Sequence, residues 1–301
     1  MPHEREPIGL IAGAGRPPFL VAAGMRAAGR KVVVAGLRGF ASPRLGALAD
    51  EFVWVGVARL GRWIAALKRR GVREAVMIGQ VAKGQMHSPL RLLRFVPDLR
   101  TAWLFYVRIR KDKRDNKMLL AAAEELHTEG IELVSSVKYC QEHLADEGLM
   151  TRARPASGVA ADVEFGWRIA RASADLDIGQ SVAVKERDIL AVEAVEGTDE
   201  MIRRAGQLCR KGKWTLIKVA RPDQDMRFDV PVIGPETVRS CHQAGCACIV
   251  VEAGKVLVLD KPTALALANR LGIAVVGKRP VDRTAQDASG APGDPSTRTR
   301  A

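Results

Sequence analysis

The sequence predicts an α/β protein: an N-terminal Rossmann-like domain built on a parallel sheet, then a smaller C-terminal α+β domain with two hairpins. Three observations lead there. Strand-length apolar runs alternate with helical stretches through the first half. The first run, Ile8–Ala12, ends in the glycine-rich turn of "IAGAG" and enters a helix through paired prolines. In the second half, two pairs of strand-like runs fold about tight turns. At 301 residues the chain exceeds the size at which one core usually suffices.

The elements follow in order. Pro17 and Pro18 suit a first helical turn, where a missing N–H costs nothing, and the helix closes at Gly29. Lys31–Ala35 is the next strand, and "EFVWVG" and "EAVMIG" flank a helix over Leu60–Arg70. "LLAAAEELHTEGIELVSS" is a helix ended by Gly130 and followed by a strand. At Thr151–Gly158, "TRARPASG", the composition turns polar, which places a linker there and divides the chain into residues 1–150 and 151–278. Beyond it "SVAVKERDILAVEA" is one hairpin and "CACIVVEAGKVLVLD", turned at Ala253-Gly254, a second, a pair that suggests internal duplication. Helices are expected over Ala160–Ala174, Asp199–Cys209, Glu236–Ala244 and Thr263–Leu271. Residues 279–301 carry little apolar content and read as a disordered tail.

Composition narrows the function classes. No apolar run reaches the roughly 18–20 residues of a spanning helix, and Met1–Pro7 lacks the apolar core of a secretory signal, so the expected compartment is the cytoplasm. Five cysteines without repeating spacing make a poor disulfide framework; in "CHQAGCAC", Cys246 and Cys248 read as the start of a buried strand rather than as zinc ligands. A net charge of +13 draws polyanions. Eight basic residues against two acidic ones lie in Pro89–Arg114, where Leu99, Ala102, Trp103, Tyr106 and Ile109 share a helical face and Arg100, Arg108 and Lys111 another. Such a helix suits an anionic membrane surface or a packing interface. No nucleic-acid recognition module is legible, which argues against that partner.

Two stretches could carry chemistry. Gly9, Gly13 and Gly15 surround a strand-to-helix junction that either cradles a phosphate or serves a tight βα turn. The prolines interrupt the dinucleotide fingerprint, and Arg38 stands where a ribose-binding acid would end the second strand, which argues against NAD. The denser stretch lies further on. "VEAVEGTDEM" places Glu193 and Glu196 beside Gly197 and Thr198, the expected N-cap of the next helix. In "IKVARPDQDMRFDVPVIGPETV" a strand carrying Lys218 runs into a loop with Arg221, Asp223, Gln224, Asp225, Arg227 and Asp229. Three carboxylates within seven residues repel unless Mg²⁺ or the interleaved arginines sit among them, a mixture suited to a pyrophosphate.

In this order, "IGLIAGAG", "DLDIGQSVAV", "ILAVEAVEGTDEMI", "IKVARPDQDMRFDVPVIGPETV" and "VEAGKVLVLD" resemble the LpxI-type UDP-2,3-diacylglucosamine pyrophosphatases from Ile8 to Gly277. The resemblance implies a Gram-negative enzyme of lipid A synthesis, peripheral on the cytoplasmic face of the inner membrane. It would use a divalent cation, typically Mg²⁺, to split UDP-2,3-diacylglucosamine into UMP and 2,3-diacylglucosamine 1-phosphate, water attacking the sugar-side phosphorus. Carried over by motif, Asp225 is the leading residue for metal-linked catalysis, with Asp229 a further metal ligand and Asp223 in support. Lys218 and Arg227 would offset phosphate charge. Substrate contacts fall to Gly13, Gly15, Gln180, Glu193, Glu196, Gly197, Thr198 and Gln224. The family's glycine and paired acids ahead of two leucines are replaced here by Asp115 and Asn116 in "KDKRDNKML". A homodimer is compatible with the reading. The rival readings are an NAD(P)-dependent Rossmann oxidoreductase and a non-catalytic basic lipid-binding protein.

Overall fold

The computed structural model describes residues 6–81, 96–109, 115–221, 225–227 and 230–279. In the first half, β1 (Pro7–Ala12), β2 (Lys31–Leu37), β3 (Glu51–Val55), β4 (Glu74–Ile78) and β5 (Glu132–Leu133) form a sheet in the order β3-β2-β1-β4-β5, all parallel. Strands such as "KVVVAGL" are apolar on both faces because helices cover both faces. Ile8, Leu10, Val32 and Val34 pack toward α1 (Pro17–Ala27). Ile11, Val33 and Ala35 pack on the other side, toward α2 (Leu60–Lys68) and the helix over Asp115–Thr128. The strand order reverses between β1 and β4, and in open α/β sheets such a reversal is where ligands commonly bind, outside the carboxyl ends of the strands.

The second half is a mixed sheet. Its strands are β6 (Gly148–Leu149), β7 (Ser181–Lys185), β8 (Asp188–Val192), β9 (Trp214–Lys218), β11 (Cys246–Glu252) and β13 (Ala274–Lys278), in the order β6-β13-β11-β9-β7-β8. Strands β9, β11 and β13 are parallel, whereas β6 and β7 run antiparallel to their neighbours. The long helix Val159–Asp175 covers one face through Trp167, Ala170 and Ala174. Helices Thr198–Leu208, Pro235–Gln243 and Lys261–Leu271 cover the other.

The first expected hairpin is β7–β8, turned at Glu186 and Arg187, both with positive φ, as a two-residue turn matching the strand twist requires. Their amides donate to Asp162, 3.1 and 2.7 Å away. The second expected hairpin does not form. Both edges of β11 are already taken by β9 and β13, so the chain leaves the sheet after Glu252; β12 (Leu257–Val258) pairs instead with β10 (Val232–Ile233), in parallel. The internal duplication inferred from two hairpins therefore falls away. The near-continuous apolar run "CACIVVE" suits a central parallel strand better than a hairpin arm.

The two halves meet along a seam. Leu257 is fully buried in the core cluster of the first half, with Met226, Val230, Val232 and Leu259 packed against it. The Ser136 amide and hydroxyl both donate to the Met226 carbonyl, at 2.8 and 2.7 Å. The chain has joined the second sheet through β6 before it reaches Thr151–Gly158, where Thr151 Oγ1 accepts from the Val275 amide at 2.9 Å. Leu257→Ala removes the apolar plug of this seam and is expected to cost about 2–5 kcal/mol, read as a lower urea midpoint. A midpoint within error of wild type would mean that the seam contributes nothing to stability.

Candidate active site

Lys218 closes β9. Trp214 and Leu216 pack into the core beneath the helix Thr198–Leu208, and the twofold alternation of a strand carries Lys218 to the same side. The side chain is only 6% exposed. Its Nζ donates to Thr198 Oγ1 at 2.7 Å, and the Thr198 hydroxyl donates in turn to Glu193 Oε1 at 2.8 Å. Glu193 directly follows β8, its amide donating to the Ser181 carbonyl at 2.9 Å, and Ser181 stands opposite Lys218 in the β7–β9 register. Gln180 is tied to the same edge, its carbonyl accepting from the Val219 amide at 2.9 Å. Gly179 is required there, since a Cβ would lie 2.0 Å from the Glu193 carbonyl oxygen. Among the described residues Gln180 Oε1, Ser181 Oγ and Glu193 Oε2 are buried without a hydrogen-bond partner. Thus "IGQ", "VEG", "TDE" and "IKV", scattered over some forty residues of sequence, converge at the carboxyl end of one strand.

Thr198 is not the N-cap. Gly197 takes that position with φ +85°, and Thr198 is the first helical residue, its hydroxyl turned sideways to Glu193 and Lys218. Glu196 points elsewhere, into an ion pair with Arg204 at 2.6 Å. Its own backbone N–H and Arg204 hold its carboxyl below the usual range.

The loop after β9 is anchored twice. At its start the Ala220 amide donates to Glu252 Oε2 at 2.9 Å, and Arg171 Nη1 reaches the same oxygen at 2.9 Å. Glu252 is 2% exposed, a buried carboxylate at the carboxyl end of β11. Further along, Ser136 holds Met226, as described above. Between these anchors Arg221 pairs with Asp177 at 3.0 Å. Asp225 and Arg227 form a two-pronged pair, Nε to Oδ1 at 2.9 Å and Nη2 to Oδ2 at 2.6 Å, which holds the Asp225 carboxyl below its ordinary pKa. Asp223, Gln224 and Asp229 lie outside the described residues. Among the described residues no three His, Cys, Asp or Glu side chains gather as a metal would require, and Arg227 occupies both oxygens of Asp225. That donor set does not by itself fit a divalent cation. Glu252, Arg171 and Ser136 escaped the sequence reading. The one legible signal was a charge closing an otherwise apolar strand, since such a group must be paired.

The glycine turn is explained by packing at Gly13. Its amide donates to the Ile78 carbonyl at 2.9 Å, and a Cβ there would lie 2.8 Å from the Gly79 carbonyl carbon. The Ala14 amide is likewise engaged, by Gln80. Gly15, at φ +95°, turns the chain into Arg16, whose guanidinium grips Asp260 across the seam at 2.8 Å. The Gly13 amide, expected to face a ligand, is therefore used together with that of Ala14 to hold β1 against β4. Cys246 and Cys248 lie in buried β11, and burial pushes the Cys248 thiol up to about 12.

In the basic segment, the helix Leu99–Leu104 is capped by Asp98, which accepts from the Thr101 amide at 2.9 Å. Leu104 enters the core, while Leu99, Trp103 and Tyr106 point outward at 92%, 55% and 67% exposure. Arg100, expected on the cationic face of this helix, is bound to Glu125 and Glu129 at 2.9 and 2.5 Å. Residues 82–95 and 110–114 and the side chains of Arg108 and Ile109 lie outside the described residues, as does Lys111.

Comparison with known proteins places these features in a family. The family model described as LpxI N-terminal domain matches residues 7–143, and that described as LpxI C-terminal domain matches residues 146–276. The chain belongs to the LpxI family. A curated relative, the UDP-2,3-diacylglucosamine pyrophosphatase LpxI of Caulobacter vibrioides, is 34% identical over 288 residues, covering 92% of this chain and 99% of its own. Among solved structures, glycinamide-RNase-transformylase T from Mycobacterium tuberculosis aligns at 12% identity and a TM-score of 0.26, over 63% of this chain and 44% of that one. PA4631, a nucleoside-diphosphate-sugar epimerase from Pseudomonas aeruginosa, aligns at 16% and 0.27, over 93% and 90%. Likenesses at that level carry no argument about this LpxI chain. The two family models meet between residues 143 and 146, just ahead of β6.

Two measurements test the electrostatics. Glu252→Ala leaves Arg171 facing an uncompensated site and is expected to lower stability by about 3–5 kcal/mol; with Arg171→Ala added, the losses should sum to less than the two single effects. Glu129 is held at about 2 by hydrogen bonds from Lys68 and Arg100. Its folded pKa lies below the unfolded one, so its contribution is present above about pH 4.5 and is lost as the pH falls toward 2. Glu129→Gln should flatten that part of the stability–pH curve; an unaltered acid limb would contradict the assignment.

Proposed function

We propose that this LpxI chain hydrolyses the pyrophosphate bond of UDP-2,3-diacylglucosamine, giving UMP and 2,3-diacylglucosamine 1-phosphate in lipid A synthesis. Family membership and the name of the Caulobacter relative support the reaction. The structural observation that carries it is the buried Lys218 ammonium beside an anchored loop that also holds Asp225 and Arg227. A diphosphate ester concentrates negative charge on non-bridging oxygens, and fixed cations at a low-dielectric edge lower the cost of adding more at a phosphorus. Lys218 and Arg227 are assigned that role. Water attacks the phosphorus nearer the sugar, the bridging P–O bond breaks, the bond electrons leave with UMP, and the water proton passes to solvent. Gln180 and Glu193 have buried acceptor oxygens suited to ligand hydroxyl or N–H donors.

A divalent-cation requirement is part of the proposal on the strength of the aspartate run from Asp223 to Asp229 in the sequence; no step is derived through the ion, because the described donors do not form its site. The diacylated substrate also calls for contact with a bilayer. We assign that contact to the outward stripe Leu99, Trp103 and Tyr106, which adjoins the basic run from Arg108 to Arg114 in sequence and would face anionic headgroups on the cytoplasmic side of the inner membrane.

Hydrolysis in ¹⁸O-water should place the label in the sugar 1-phosphate and leave UMP unlabelled. Label in UMP would reverse the attacked phosphorus, and no UMP at all would end the functional reading. Lys218→Ala is expected to lower kcat at least about 10²-fold, and EDTA should abolish turnover until Mg²⁺ is restored. Replacing Leu99, Trp103 and Tyr106 by serine should stop flotation with anionic vesicles. Flotation equal to wild type would retire that face, and a fall in sedimenting mass would reassign it to a second copy of the chain.

A further inference from the structure

Donors from the first half of the chain converge on one carbonyl of the second. The Ser136 amide and hydroxyl reach the Met226 oxygen at 2.8 and 2.7 Å, and the Ser135 hydroxyl stands 3.5 Å from it. A carbonyl oxygen has two lone pairs, and Ser136 by itself supplies a donor for each. Ser136 is fully buried, away from the water that would otherwise serve that oxygen.

The serine is the fixed member of the contact. Past β5 the Val134 amide donates to the Ala75 carbonyl at 2.9 Å. The turn that follows is closed by the Lys138 amide on Ser135 and the Cys140 amide on Val137, each at 3.1 Å. Val137 and Cys140 are buried in the core of the first half, and the Cys140 thiol donates to the Ser136 carbonyl at 3.7 Å. The gripped member is the middle of a short turn, Asp225, Met226 and Arg227. Asp225 Oδ1 accepts from the Arg227 amide at 3.0 Å, and the two-pronged guanidinium contact closes the same turn. These bonds fix the two charged side chains relative to each other. Where the pair stands relative to the end of β9 depends on what holds the turn, and the Met226 carbonyl is where the first half holds it.

We propose that Ser136 is a positioning residue for the hydrolysis: through the Met226 carbonyl it sets the Asp225–Arg227 pair against the substrate diphosphate. The first half thereby supplies part of the site's geometry from a residue that does not touch the substrate. This inference rests on the function proposed above.

The test compares wild type with Ser136→Ala, which removes the hydroxyl and keeps the amide, and Ser136→Cys, whose thiol is a weaker donor. On UDP-2,3-diacylglucosamine, Ser136→Ala should lower kcat about tenfold at nearly constant KM, as a small misplacement of the pair would. Ser136→Cys should lie between. Added to Arg227→Ala, Ser136→Ala should cost less than it does in wild type, because both act through one turn. In protein carrying ¹³C-carbonyl methionine, the Met226 resonance, assigned by its loss in Met226→Leu, should move upfield in Ser136→Ala. A Met226 resonance that stays in place overturns the proposal. So does wild-type kcat in folded Ser136→Ala, which would leave Ser136 a contact of the seam and nothing more, and so does a rise in KM at constant kcat. If Ser136→Ala does not fold, Ser136→Cys carries both measurements. If wild type shows no turnover, the functional reading fails while the carbonyl resonance still decides whether Ser136 holds the turn.

Discussion

A cation at the end of a central strand, almost wholly removed from water, is the constraint around which the second half of this protein is arranged. Burying an ammonium without compensation costs several kcal/mol, and the usual outcome is loss of the proton. The contacts of Lys218 include a hydroxyl from the start of a helix and, behind that hydroxyl, a carboxylate. The helix Thr198–Leu208 has to begin where it does for this to work. Gly197, with its positive φ, makes that entry and leaves the threonine side chain free of capping.

A second buried charge serves the first. Glu252 and Arg171 pin the backbone at Ala220, two residues beyond Lys218, and Ser136 reaches over from the first half to pin Met226. The loop that carries Asp225 and Arg227 is therefore suspended between the two halves rather than hung from one of them.

The N-terminal sheet plays a different part from the one a glycine-rich first turn suggests. At Gly13 the absence of a side chain lets β1 and β4 approach within contact of each other's backbone, and the amides of Gly13 and Ala14 close that junction. At the reversal of strand order Gly13 serves that packing. Arg16, next in line, reaches across the seam to Asp260. The resemblance to a dinucleotide fold is a resemblance of topology, and topology says little about which ligand a crevice holds.

The sequence alone determined the alternation of strands and helices, the family through its long motifs, and the position of the β7–β8 turn, because hydrophobic period, glycine placement and turn chemistry are local properties. It also singled out Lys218 and Glu193, since charged residues at strand ends are visible in a string of letters, and Thr198 through its place at a helix start. It misjudged β12 as the return arm of a hairpin, took Thr198 for a cap and saw Arg100 only as part of a cationic face. Each of those depended on a partner distant in sequence: the occupied edges of β11, the ammonium of Lys218, and the carboxylates of Glu125 and Glu129. Tertiary structure alone decided them, because a hydrogen bond or a filled sheet edge is a relation between places in space, and sequence patterns report only the residue's own neighbourhood along the chain.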